Sequence, residues 1–238
     1  MADFVQLWVY LSSTPLFGLT ATLLVYVAAQ GFYERCGKAS WANPVLWSVV
    51  AIGAVLLVTG TPYPTYFAGA QFVHFLLGPA VVAMGWPLWE RRQEIRRRGV
   101  ALLLAGVIGG ASAAAAAVAI GWAFGLHHDV LRSLAPKSVT APVAMGIAEQ
   151  LGGVPALSAV FAVLTGMVGA ISAKPLFNAL GVHDWAVRGF ALGTSSHGIG
   201  AARAMQVHPD AGAYAGVALG LQVLLASILM PLVARWLP

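Results

Sequence analysis

Apolar residues run along this chain in long stretches that charged residues interrupt at only a few places. No Asp, Glu, Lys or Arg occurs in the 51 residues from Ala39 to Trp89. A helix needs about 20 apolar residues to cross the hydrocarbon core of a bilayer, and a soluble domain of this length has too little interior to bury such a stretch. The pattern therefore predicts a protein that spans a membrane several times.

The same pattern predicts an all-α, polytopic transmembrane bundle of about eight segments, forming one domain over residues 1–238. Six segments are continuously apolar, and two others are apolar but broken by charge, Gly and Pro. The continuous segments cover residues 7–29, 44–60, 66–89, 99–124, 154–173 and 212–234, and the broken ones cover 130–150 and 185–205. The sequence leaves open whether the broken segments cross fully or are re-entrant.

Two short segments resemble each other in a way that points to an internal repeat. Gly78–Gly85 and Ala141–Gly146 are both apolar, contain a proline and end in Ala-Met-Gly. Paired Pro-broken segments are typical of transporters with inverted repeats. The alternative is chance similarity in a chain rich in Ala, Gly and Val.

The charged residues exclude one functional class and predict an orientation. The net charge of +5 does not indicate nucleic-acid binding, because the basic residues form no stripe with interleaved aromatic residues. Five arginines lie within residues 91–98, and Arg35 and Lys38 lie two predicted spans earlier. The positive-inside rule places both loops in the cytoplasm and the N-terminus outside.

The first broken segment carries polar chemistry between two prolines. Because proline disrupts a helix and restricts the residue before it, we expect a break between Pro136 and Pro142. A new half-helix should begin at Thr140, with Pro142 in its first turn. Its amides and partial positive charge, beside Lys137 and Ser138, suit a carboxylate.

The second broken segment places the hydroxyls of Thr194, Ser195 and Ser196, an imidazole, glycines and Arg203 in an apolar stretch. Ser195 or Ser196 can cap a half-helix that continues to Met205. Gly198 allows close approach of a ligand. His197 changes charge near neutral pH and is the candidate for proton coupling. Ionisable residues inside membrane spans are functional by default.

Each of these polar residues also has a structural interpretation that requires no ligand. Lys137 could extend to the interface, and the serines could bond only their own backbone. His197 could join two helices by a hydrogen bond, and Arg203 could be a cytoplasmic anchor. No enzyme is predicted, since adjacent Ser196 and His197 cannot take the geometry of a catalytic triad. No metal site and no cofactor are predicted either.

These same residues resemble those of the LrgB/CidB family, and the resemblance covers nearly the whole chain. Its most specific part is the Pro-Lys-Ser-Val-Thr run at residues 136–140. The matching segments are Ser133–Met145, Gly152–Ala159, Ser196–Ala204, Thr14–Gly18, Asn43–Pro44 and Phe75–Ala80. The sequence departs from the family where Ala141 and Ala201 replace expected threonines and Gln206 an expected glutamate.

The resemblance implies a protein of the bacterial inner membrane and two functional accounts. Bacterial members are described as holin/antiholin-like regulators of murein hydrolase activity and autolysis. Plastid relatives transport glycolate and glycerate, and some bacterial LrgA/LrgB-type pairs move pyruvate. Expected partners are a small monocarboxylate, membrane lipid, an LrgA-like membrane protein and further copies of the chain.

We therefore expect a monocarboxylate carrier, with a holin-like regulator as the alternative. The polar residues cluster at two breaks rather than along one helix face, which favours a carrier over a pore. The expected substrate site comprises Lys137, Ser138, Thr140, Pro142, Ser195, Ser196, His197 and Gly198, with Pro79 and Arg203 as secondary candidates.

The orientation is testable by thiol labelling after the single cysteine, Cys36, is replaced. Cysteines introduced at Arg35 and Gln93 should react only with reagents that reach the cytoplasm, and one at Asp3 only from outside, because basic loops are retained inside. Reaction at Gln93 from the outside alone would reverse the predicted topology.

Overall fold

The computed structural model describes residues 15–76, 79, 89 and 92–233, and their regular structure is helical throughout. These residues fall into two compact units, one within Met1–Ala83 and the other within Met84–Pro238. Of the segment Gly78–Gly85 only Pro79 is described, so the internal repeat stays a prediction. So does the single domain over residues 1–238.

The described residues of the first unit form three helices and one 3₁₀ turn. Asn43 begins the second helix, where its side chain accepts hydrogen bonds from the amides of Val45 and Leu46, and Gly60 ends that helix in a left-handed conformation. The hydroxyls of Thr22 and Tyr66 lie 2.7 Å apart and join the first and third helices. The elements are α1 (Pro15–Arg35), the 3₁₀ turn (Ser40–Ala42), α2 (Pro44–Thr59) and α3 (Tyr63–Phe75).

The second unit contains long helices and shorter, broken ones. They are α4 (Arg92–Arg97), α5 (Gly99–Ala123), α6 (His128–Leu134), α7 (Ala141–Gln150), α8 (Pro155–Ala179), α9 (Trp185–Val207) and α10 (Pro209–Val233).

Length and composition identify four helices, among the described residues, that could cross a membrane. They are Leu16–Arg35, Gly99–Ala123, Pro155–Ala179 and Pro209–Leu232. The helix α2 is also apolar but shorter, with 16 residues. The prediction of an all-helical, membrane-spanning fold is confirmed.

The first broken segment folds back on itself, and we call it hairpin A (α6, residues 135–140 and α7). The Val154 amide donates to Ser133 Oγ at 2.7 Å, so the chain returns from α7 to the end of α6. Antiparallel packing of α7 on α8 is fixed by Ser158 Oγ, which donates to the Ala144 carbonyl at 3.2 Å. The α7 N-terminus, residues 139–141, is therefore the tip of hairpin A.

The second broken segment also folds back, and we call it hairpin B (α9). Its helix is interrupted at His197, where φ is 41° and ψ is −135°. A Cβ atom at Gly200 would lie 2.7 Å from the Leu192 carbonyl oxygen. The rings of Trp185 and His208 stack at 5.0 Å. The two arms, residues 185–196 and 198–207, therefore lie side by side. The first arm begins where the second arm ends, and His197 forms the tip between them.

The two hairpins open at opposite ends of the second unit. Hairpin A opens where α5 ends, because a Cβ atom at Gly121 would lie 2.8 Å from Leu131 Cδ2. The helix α10 runs parallel to α5: Gly106 faces Leu221, and further along both helices Val118 belongs to the same apolar cluster as Ala226. Hairpin B, which joins the start of α10, therefore opens at the other end.

Small residues bring hairpin B and α10 into close contact, and this contact is testable. A Cβ atom at Gly193 would fall on the backbone of Ala215, whereas one at Gly220 meets nothing within 4 Å. Gly193→Ala should lower the free energy of unfolding by about 1–3 kcal/mol through overpacking.

Gly220→Ala is the matched control. It should raise stability by up to about 1 kcal/mol, because alanine favours a helix over glycine. Denaturation midpoints in detergent measure both effects, and equal midpoints for the two variants would contradict the close approach of α9 and α10.

Candidate functional site

The tips of the two hairpins meet on one residue of α8. His197 Nε2 lies 2.8 Å from the carbonyl oxygen of Ala162. Ala162 is fully buried and belongs to one apolar cluster with Val139 and Ala144 at the tip of hairpin A. The structure thus brings the two broken segments together through α8, while direct contact between their polar side chains stays a prediction.

The break in hairpin A has the predicted form. The helix α6 ends at Leu134, and Thr140 is extended (φ −59°, ψ 143°) immediately before α7. Pro142 lies in the first turn of α7. Turns satisfy part of the broken backbone, since the Lys137 amide donates to the Leu134 carbonyl at 3.2 Å.

The break in hairpin B differs from the prediction at its cap. The interruption falls at His197, so Ser195 still belongs to the first arm, and its Oγ donates to the Ala191 carbonyl at 3.0 Å. Ser196 Oγ lies 3.1 Å from Ser195 Oγ. The predicted capping by Ser195 or Ser196 is therefore wrong, because both serines belong to the last turn of the first arm and the interruption follows them at His197.

His197 is held in an unfavourable backbone conformation. A positive φ is uncommon for any residue with a side chain and costs on the order of 1–3 kcal/mol. Its imidazole is 4% exposed. Because a carbonyl oxygen only accepts, Nε2 must carry the proton that bonds Ala162, which leaves Nδ1 as the acceptor of the neutral ring. The structure therefore contains the hydrogen bond between two helices that was one of the interpretations of His197.

Two glycines of α8 make room for this tip. A Cβ atom at Gly166 would lie 2.9 Å from His197 Cε1, and one at Gly169 would fall on Ser196 Oγ. Ala162, Gly166, Gly169 and Ala173 recur at helical spacing. A face of small residues lets a neighbouring backbone approach closely in a membrane protein.

The predicted site residues differ in how far they are buried. Ser138, Ser196, His197 and Arg203 are buried. Lys137, Thr140 and Gly198 are partly buried, and Pro142, Ser195 and Pro79 are exposed. Among the described residues, Ser138 Oγ and Thr194 Oγ1 are buried without a hydrogen-bond partner, and each has capacity to bind a ligand oxygen.

A cavity of about 630 Å³ lies between α5, hairpin A and α10, and Ser138 and Gln222 are among the residues that line it. Gln222 is buried and its Nε2 donates to the Gly106 carbonyl at 2.6 Å. Neither Gln222 nor Thr194 is among the site residues predicted from the sequence, although Thr194 lies in the second broken segment. A signal existed for Gln222, because it is the single amide side chain in the apolar stretch 212–234.

Arg203 lies apart from the tips. It lines a second cavity, of about 250 Å³, near the open end of hairpin B. Arg203 lies on the second arm, which runs from His197 toward the open end of hairpin B. This position agrees better with the interpretation of Arg203 as an anchor than with contact to a substrate at the tips.

These features define an all-helical integral membrane protein in which two broken segments fold back toward one helix. The chain belongs to the LrgB-like family, whose signature matches residues 22–236.

Its relatives include proteins named as holin-like. The chain is 34% identical over 216 residues to the uncharacterized protein YxaC of Bacillus subtilis, covering 91% of this chain and 93% of YxaC. It is 29% identical over 213 residues to the holin-like protein CidB of Staphylococcus epidermidis, covering 88% and 91%. For the holin-like protein CidB of Staphylococcus aureus the identity is 28% over 232 residues, covering 97% of each. No solved structure matches the chain.

The unpartnered Ser138 hydroxyl gives a test of its role. Removing a buried, unpaired hydroxyl relieves a desolvation cost of about 1–3 kcal/mol, so Ser138→Ala should leave stability unchanged or raise it. Ser158→Ala is the matched control, because Ser158 is equally buried but bonded to Ala144, and it should lose about 1 kcal/mol. Thermal midpoints in detergent distinguish them, and a loss at Ser138 as large as at Ser158 would show an unrecognised structural bond.

Proposed function

We propose that this protein carries small monocarboxylates, of the size of glycolate, glycerate or pyruvate, across the bacterial inner membrane. The observation that carries the proposal is the meeting of two oppositely opening hairpins at Ala162. Carriers commonly bind substrate where broken helices from two halves of the protein approach each other.

The charges at the tips support an anion. The helix α7 and the second arm of hairpin B both begin at a tip, so two helix N-termini are directed toward the region around Ala162, where their partial positive charges favour a carboxylate. The first arm of hairpin B ends there with its carbonyls, so the charge at that tip is mixed. The preference for an anion therefore rests mainly on α7 and Lys137.

We assign the roles as follows. Lys137 and the α7 amides hold the carboxylate, and the hydroxyls of Ser138, Thr140 and Ser196 bond the hydroxy or keto oxygen. Ser195 is a weaker candidate, since its hydroxyl is engaged with Ala191. His197 changes protonation during transport and so couples proton movement to the substrate.

The distribution of charge supports the predicted topology. The α5 N-terminus, preceded by Arg96, Arg97 and Arg98, lies at the end of the second unit where hairpin B opens. Arg188 and Arg203 lie near that end too. We propose that this end is cytoplasmic, by the positive-inside rule, and that the chain acts with further copies of itself and an LrgA-like protein.

A holin-like regulator is the second candidate. Two relatives that match 88% and 97% of this chain are named holin-like proteins, and these names favour this candidate over the carrier. In this role the protein would change membrane permeability or murein hydrolase export, and any carboxylate flux would be secondary.

Uptake into vesicles separates the two candidates. The purified protein, with and without an LrgA-like partner, should accumulate labelled glycolate or pyruvate saturably. Release of unrelated solutes of similar size at the same rate would favour a holin-like pore and contradict the carrier.

Lys137→Met tests the cation at the proposed site. It keeps the bulk of the apolar stem of the side chain and removes the charge. A charge-assisted hydrogen bond contributes about 1.5–3 kcal/mol, so substrate affinity in the uptake assay should fall about tenfold to a hundredfold. Lys38→Met, in a loop of the first unit, is the control and should transport normally. Normal affinity in Lys137→Met would reduce Lys137 to an interfacial residue.

His197→Gln is the companion variant for proton coupling, because glutamine donates a hydrogen bond but does not titrate. If His197 carries the proton, the dependence of uptake on pH between about 5 and 8 should flatten. An unchanged pH profile would leave His197 with only its structural bond to Ala162.

A further inference from the structure

The second cavity, at the open end of hairpin B, concentrates positive charge. It has a volume of about 250 Å³, and Lys174, Arg188 and Arg203 line it together with the rings of Phe177 and Trp185. No acidic side chain is among the described residues that line it. Lys174 and Arg188 bring two positive charges to one small cavity, and an anion between them would lower their mutual repulsion.

Arg188 is fixed in place before any ligand binds. Its Nε donates to the Val182 carbonyl at 2.6 Å, and one terminal nitrogen donates to Asn178 Oδ1 at 2.6 Å. The guanidinium also lies over the ring of Trp185, 5.0 Å from its centroid. These bonds use two of its five N–H groups, so a ligand meets an oriented side chain with donor capacity remaining.

The cavity joins three separate segments. Lys174 lies on α8, Arg188 on the first arm of hairpin B and Arg203 on the second arm. The stacked rings of Trp185 and His208 hold the two arms together beside it. Arg203 is only 9% exposed, so its charge is held within the protein rather than in open solvent.

We propose that this cavity binds a phosphate group, carried by an anionic phospholipid or by a soluble phosphate compound. The guanidinium of Arg188 and the ammonium of Lys174, beside Arg203, suit a phosphate group, whose unesterified oxygens accept paired hydrogen bonds from a guanidinium and carry one or two negative charges. Basic pockets between membrane helices on the cytoplasmic side bind such headgroups. This site is separate from the hairpin tips and does not rest on the carrier function.

Thermal stability of the purified protein in neutral detergent tests the proposal. The probes are dioctanoyl phosphatidylglycerol, dioctanoylglycerol, which lacks phosphate, and sodium phosphate against sodium chloride at equal ionic strength. Saturable stabilisation by phosphatidylglycerol alone identifies a lipid headgroup. Saturable stabilisation by sodium phosphate identifies a soluble ligand, and both results support a phosphate site.

Variants locate the effect in the cavity. Arg188→Gln should raise the half-saturating concentration about tenfold, as expected for loss of one charge-assisted bond. Lys174→Gln changes an exposed residue without disturbing the fold and should raise it by a smaller factor. Arg132→Gln removes an equal charge at the opposite end and should have no effect. Stabilisation that is absent with both phosphate probes, or unchanged in both cavity variants, would overturn the proposal.

Discussion

Backbone groups that leave a helix in apolar surroundings must find partners within the protein, because lipid offers none. In hairpin A, turns at Lys137 and Val139 and the bond from the Val154 amide to Ser133 Oγ meet part of this constraint. Side-chain hydrogen bonds then hold both hairpins against α8. The carbonyl of Ala162 binds the imidazole at the tip of hairpin B, and the carbonyl of Ala144 in hairpin A accepts from Ser158 of the same helix. One helix therefore holds both hairpins close to their breaks, with one side-chain hydrogen bond to each.

The same helix determines how closely the hairpins approach. Gly166 and Gly169 leave space for the His197 ring and for Ser196, so a substitution there would displace the tip and the bond to Ala162 together. The hairpins open at opposite ends of the second unit. The proposed carrier would use this arrangement, because its site must be reached from each side of the membrane in turn, whereas a simple pore does not need it.

Residue types at neighbouring positions predicted where the helices break, but they did not predict that each broken segment folds back. Pro136 and Pro142 predicted the non-helical stretch and the start of α7 because proline acts on its immediate neighbours. The return of each segment depends on contacts between distant residues, such as Ser133 with Val154, which no local pattern encodes. Gln222 was missed because a lone amide in an apolar helix indicates no partner, and the partner, Gly106, lies on a different helix.

In the proposed arrangement, each broken segment enters and leaves the membrane on one side, and the two segments do so on opposite sides. Impermeant thiol labelling in sealed, uniformly oriented vesicles tests it directly, using single cysteines that replace exposed residues of a Cys36→Ser protein. Leu126 and Val154 flank hairpin A, and His183 and Val207 flank hairpin B. The account predicts that both members of a pair label from one side, and the two pairs from opposite sides. Labelling of the two members of either pair from different sides would show a crossing segment and contradict it.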